Sequence, residues 1–108
     1  MRVSLFAMTL AALPGVALAQ NAGDAQHGHT LATTVCAACH SVEAKGAPST
    51  NNAAPPFAAI AATPGMTAMA LNAFIYTPHH LMPDITISTA DARDLIAYIL
   101  SLKAQPPI

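Results

Sequence analysis

The chain has two cysteines, three residues apart, and a histidine directly after the second: Cys36-Ala37-Ala38-Cys39-His40. On a helical turn, positions three and four apart share a face, so two thiols and an imidazole converge on one side of a short segment. A disulfide across this pair would close a loop too small to stabilise much. A thioredoxin-type redox pair needs a βαβ setting, which is missing here. A zinc site needs more ligands at ordered spacing than His79 and His80 supply. What remains is a segment built to hold one group, around which the rest of the chain must fold.

C-x-x-C-H is the pattern of covalent haem attachment. The two sulfurs reach the two vinyl groups along one edge of the porphyrin, and His40 projects beneath the ring to place a nitrogen on iron. The composition leaves room for such a group. Of the 89 residues from Gln20 to Ile108, 20 are alanine, and tryptophan is absent. Leu31, Phe57, Ile60, Leu71, Phe74, Ile75, Leu95, Ile96 and Ile99 form a thin set for one core, and domains of this size are marginal without a staple.

Residues 1–19 read as a secretory signal peptide: Met1-Arg2, an apolar run from Val3 to Leu13, a Pro14-Gly15 break, and Ala17-Leu18-Ala19 before Gln20. The alternative is a retained membrane anchor, although the run is interrupted well short of the roughly 20 apolar residues a span needs. Export and the attachment motif agree, because c-type haem is attached outside the cytoplasm. Residues 20–108 then form the single domain, with Lys45, Arg93 and Lys103 against Asp24, Glu43, Asp84, Asp91 and Asp94. That slight acidity excludes a basic footprint for nucleic acid or anionic lipid.

Asp24 is placed to open a first helix, with His27, Leu31 and Val35 at helical spacing. Residues 41–56 lack apolar periodicity and read as a long loop. Phe57 to Ala61 forms a short helical turn. Thr67 caps a helix to about Tyr76, with Leu71, Phe74 and Ile75 on one face and Pro78 ending it. Thr77 to Ile87 is a second loop. Ser88 caps a helix from Thr89 to about Lys103, with Asp91 and Asp94 near its positive end and an apolar face of Ala92, Leu95, Ile96, Ile99 and Leu102.

Gly23-Asp24 through Gly28 leading to the attachment motif, Pro55-Pro56-Phe57, Met82-Pro83, and Asp94-Leu95-Ile96-Ala97-Tyr98-Ile99-Leu100 together resemble class I c-type cytochromes. The resemblance covers essentially all of residues 20–108 as a cytochrome c domain. It implies an all-α fold of three main helices plus short turns around a covalently bound haem. It also implies Met82 as the distal ligand, with the backbone carbonyl of Pro55, or of the adjacent Pro56, accepting from the His40 ring. The family packs its first and last helices together, with Gly28 allowing close approach near Leu95 and Tyr98. Ala32 departs from the aromatic residue often found there.

The residues themselves favour the same ligand. A thioether is a soft, neutral donor that raises the potential, and Pro83 stiffens the loop beside it. Met66 and Met69 read as core filler. His79 and His80 are rival ligands that would give a lower-potential bis-His centre, or else an exposed loop pair. His27 and His29 read as solvated positions.

The expected function is one-electron transfer in the periplasm by a single haem c (iron protoporphyrin held by two thioethers), in a monomer that is not an enzyme. Its partners are redox protein donors and acceptors. The alternatives are a cytochrome subunit of a periplasmic dehydrogenase, and a haem enzyme or gas sensor with an open distal site. Many family members dock through a lysine ring. With two lysines in all, docking here is expected on an apolar rim around residues 37–38, 54–58 and 81–83.

Overall fold

The computed structural model describes residues 7–12, 23–79 and 81–104. Most of the segment read as a signal peptide lies outside them, as does His80. Residues 7–12 carry no regular secondary structure and are exposed. Four α-helices follow in chain order: α1 (Ala25–Thr34), α2 (Phe57–Ala62), α3 (Ala68–Tyr76) and α4 (Thr89–Ser101). A 3-10 turn at Cys36–Ala38 follows α1, and another at Leu102–Ala104 ends α4. The fold is all-α, with no strand among the described residues and no helix there long and apolar enough to cross a membrane.

The three longer helices begin where their side-chain caps stand. The Asp24 carboxylate accepts from the N–H groups of Gln26 and His27. Thr67 Oγ1 accepts from Ala70 N–H at 3.1 Å, and Ser88 Oγ from Asp91 N–H at 3.0 Å. Each cap satisfies a donor the helix itself leaves open and is worth about 1 kcal/mol. Between α2 and α3 the chain turns at Pro64-Gly65, with Gly65 at φ +77°, a conformation that favours glycine.

The principal contact is α1 against α4, and α2 and α3 lean on α4 as well. The α1 face that meets α4 is built from Gly28 and Ala32, both buried. A Cβ on Gly28 would overlap the Asp94 carbonyl and stand 2.9 Å from the Tyr98 Cβ, so the helices approach backbone to backbone there. Ala32 is fully buried in the cluster that holds Leu95 and Tyr98. The His27, Leu31, Val35 stripe expected from periodicity is therefore not the packed face: Leu31 is half-buried and Val35 is exposed. Size decided the matter, because only small residues fit so close an approach. Of the five apolar positions expected on the last helix, Ala92, Leu95, Ile96 and Ile99 are buried in α4 and Leu102 in the turn that follows it, and Tyr98 joins them.

Two further readings are corrected by polar contacts and exposure. His27 and His29 are partnered rather than simply solvated. His27 Nδ1 donates to Asp94 Oδ2 at 2.7 Å, while Asp94 Oδ1 accepts from the Asp24 backbone N–H, also at 2.7 Å. His29 Nε2 donates to Glu43 at 2.6 Å. Met69, read as core filler, is 84% exposed, whereas Met66 is half-buried against the core.

The hydrogen bond to Asp94, with the neighbouring carboxylates, raises the His27 pKa above its ordinary value. The Asp24 N–H and the His27 ring lower that of Asp94. The stabilisation from His27 is complete below the ordinary histidine value and disappears as pH rises through the raised one. That from Asp94 is complete above the ordinary carboxylate value and disappears as pH falls through the lowered one. Wild-type protein should therefore exceed H27Q in thermal stability most clearly near pH 5.5, with the gap closing by pH 9. Paired melting curves across that range check the sign.

Candidate cofactor site

Val35 leaves α1, and the 3-10 turn at Cys36–Ala38 redirects the chain, with the Cys39 and His40 N–H groups both donating to the Cys36 carbonyl at 3.1 and 2.9 Å. Both cysteines are half-buried, unbridged, and on the wall of one cavity. Burial pushes the Cys36 thiol pKa up.

The loop over residues 41–56 is laid down on this turn by specific hydrogen bonds. Thr50 Oγ1 donates to the Ala38 carbonyl at 2.7 Å, Asn51 N–H to the Cys39 carbonyl at 3.3 Å, and Ser41 N–H to Ser49 Oγ at 2.9 Å. Phe57 N–H then donates to the Ser41 carbonyl at 2.9 Å. Tyr98 ties the loop to α4 by donating to the Val42 carbonyl at 2.6 Å. The result delivers the Pro55 carbonyl to His40, whose Nδ1 donates to it at 2.7 Å. A carbonyl can only accept, so Nδ1 is the donor, and in the neutral ring Nε2 keeps the lone pair. Phe57 lies against the ring at a centroid distance of 5.2 Å.

Met82 comes from the other loop. Its N–H donates to the His79 carbonyl at 3.1 Å, closing a tight turn, and its half-buried side chain lines the same cavity. That cavity measures about 660 Å³ and is walled mainly by apolar groups, among them Ile60, Leu71, Ile75, Leu95 and Ile99. Phe74 and Leu81 also border it, 54% and 79% exposed. Phe74 was counted with the core on sequence grounds. It belongs to the cavity wall, and its exposure is that of a side chain facing a space wide enough for a cofactor.

These residues fit haem. The space is large and apolar, two thiols share its wall, one imidazole presents an unprotonated nitrogen with its tautomer fixed, and a thioether stands in the closing loop. Cys36, Cys39, His40, Met82 and the Pro55 carbonyl, singled out from the sequence, all border this one cavity. The loop hydrogen bonds of Thr50, Asn51 and Ser49 had no signal in apolar periodicity, and only the Ser, Thr and Asn content of residues 41–56 hints at them.

Residues 25–103 match the family model for Cytochrome c. The chain belongs to the cytochrome c family. It is also 40% identical over 82 residues to Cytochrome c-552 of Bradyrhizobium diazoefficiens, covering 76% of this chain and 78% of that protein. No solved structure gives a significant match. As a class I c-type cytochrome, this is an electron-transfer protein whose cofactor is covalently bound haem c.

With the centre of the domain given to a cavity, the remaining buried core among the described residues is small: Val42, Phe57, Leu71, Leu95, Ile96, Tyr98, Ile99 and Leu102 with three alanines. Protein expressed without haem attachment, or carrying C36A/C39A, should be largely unfolded, because so little apolar contact cannot offset the ordering of about 80 residues. Circular dichroism during heating is the check. Native-like helicity with a cooperative transition would contradict it.

Proposed function

We propose that the chain is an exported, monomeric, periplasmic one-electron carrier with a single haem bonded to Cys36 and Cys39 and ligated by His40 and Met82. Residues 1–19 act as the signal peptide, and the protein catalyses no substrate chemistry of its own. The convergence of two thiols, one tautomer-fixed imidazole and one thioether on a single apolar cavity carries this reading.

The bound group supplies a ferric/ferrous couple. The protein's part is to hold that couple in place and set its potential. The Pro55 carbonyl orients the His40 ring. Phe57 and the apolar wall exclude water on that side. The Met82 thioether favours ferrous iron relative to a second imidazole. Pro83, next in sequence, restricts the backbone of the loop that presents the sulfur.

M82H should lower the midpoint potential by on the order of 0.1 V, within the ~0.8 V that axial ligands control. The weak far-red band of ferric His/Met cytochromes should be present in the wild type, lost in M82A and retained when the exposed Met69 is changed to Leu. Potentiometry and visible spectra read both. A wild type without that band would rule out Met82 as ligand.

Partners are redox proteins, and the chemistry of the cavity border specifies how they meet it. Ala38, Pro55, Leu81 and Pro83 are exposed, and Asp84 is the one charged side chain bordering the cavity among the described residues. The cations Lys45, Arg93 and Lys103 lie elsewhere in the chain. Long-range steering is correspondingly weak, and association depends on apolar contact. Electron-exchange rates with a physiological partner should change less than about threefold between 10 and 300 mM salt, as stopped-flow mixing would show.

A further inference from the structure

His79 is the cavity-lining imidazole to which the proposed function gives no role. It stands three residues before Met82, in the turn closed by the hydrogen bond from Met82 N–H to the His79 carbonyl. Its ring is half-buried, borders the same cavity as His40 and Met82, and packs edge-on to Phe74 at a centroid distance of 5.6 Å. Its Nδ1 donates to the Thr77 carbonyl at 2.8 Å. In the neutral ring that bond places the proton on Nδ1 and the lone pair on Nε2, as the Pro55 carbonyl does for His40. The chain therefore holds two imidazoles prepared in the same way at one cavity, and the second is anchored in the turn that delivers the thioether.

We infer that His79 is a reserve axial ligand: when the Met82 thioether leaves the iron, His79 Nε2 replaces it. The exchange breaks one iron-sulfur bond and forms one iron-nitrogen bond, with no change in electron count. The turn shared by the two residues keeps the required chain movement local, and the Thr77 carbonyl has already fixed the tautomer. The protein would thereby pass to a bis-imidazole centre of lower potential instead of opening its iron to small molecules. Met66 also borders the cavity and is the competing donor. A thioether from Met66 would preserve the His/Met spectrum, whereas His79 would abolish it.

The inference rests on Met82 being the native ligand, so the far-red band of wild-type protein is recorded first. Its absence would remove that reading and this one together. With the band present, holo-protein of M82A, and of M82L, which keeps bulk in the loop, is examined at pH 7 in a buffer free of imidazole. The expected result for both is a six-coordinate low-spin ferric spectrum without the far-red band, and a ferrous form that carbon monoxide does not alter within minutes. M82A/H79A should be high-spin and bind carbon monoxide at once, while M82A/H80A should resemble M82A. A high-spin, carbon-monoxide-binding M82A or M82L would overturn the inference while leaving Met82 as the native ligand. A low-spin M82A/H79A would do the same, whereas a far-red band surviving in M82A would overturn this inference and count against Met82 as the native ligand.

Discussion

The hydrogen bond from the His40 ring to the Pro55 carbonyl joins two parts of the chain that would otherwise be independent, the turn after α1 and the segment leading into α2. Its partners are 15 positions apart, and the hydrogen bonds of Thr50, Asn51 and Ser49 hold the intervening loop beside the turn. An imidazole oriented in this way has a defined donor nitrogen and a defined acceptor nitrogen. Without the bond the ring could rotate and exchange tautomers, and the cavity would lose its one fixed nitrogen base on that wall.

The helical frame around the cavity is economical in a different sense. Gly28 and Ala32 allow α1 to meet α4 without large side chains between them, so the apolar residues of α4 are left for the other elements. Leu95 and Ile99 belong both to the buried cluster and to the cavity wall. Phe57 likewise packs in the core and against His40. Core and cofactor site are therefore one structure in this cytochrome.

Much of this was legible in the sequence because caps and breakers act locally. Asp24, Thr67 and Ser88 set helix starts through bonds to residues two or three away, Pro78 stops α3 by its fixed ring and missing N–H, and the attachment motif is short enough to read without knowing the fold. The close approach of α1 to α4 at Gly28 was legible from the family resemblance and not from periodicity, because hydropathy weighs Val35 above Gly28, whereas helix contact rewards the absence of a side chain. His27 and His29 looked solvated because their partners, Asp94 and Glu43, are distant in sequence. Met69 and Phe74 looked like core because hydropathy does not distinguish burial in protein from a place on a rim or a cavity wall.

The bond between the Asp24 N–H and the Asp94 carboxylate spans 70 residues, and the α1–α4 contact beside it is of similar sequence separation. Closing so long a loop is entropically slow, and the contact cannot form until α4 has been synthesised. The Cys36–His40 segment lies near the start of the domain, bonded to residues 50–55, and precedes α4 in the chain. Until the two terminal helices meet, nothing in the topology of the described residues covers the attachment turn from the α4 side.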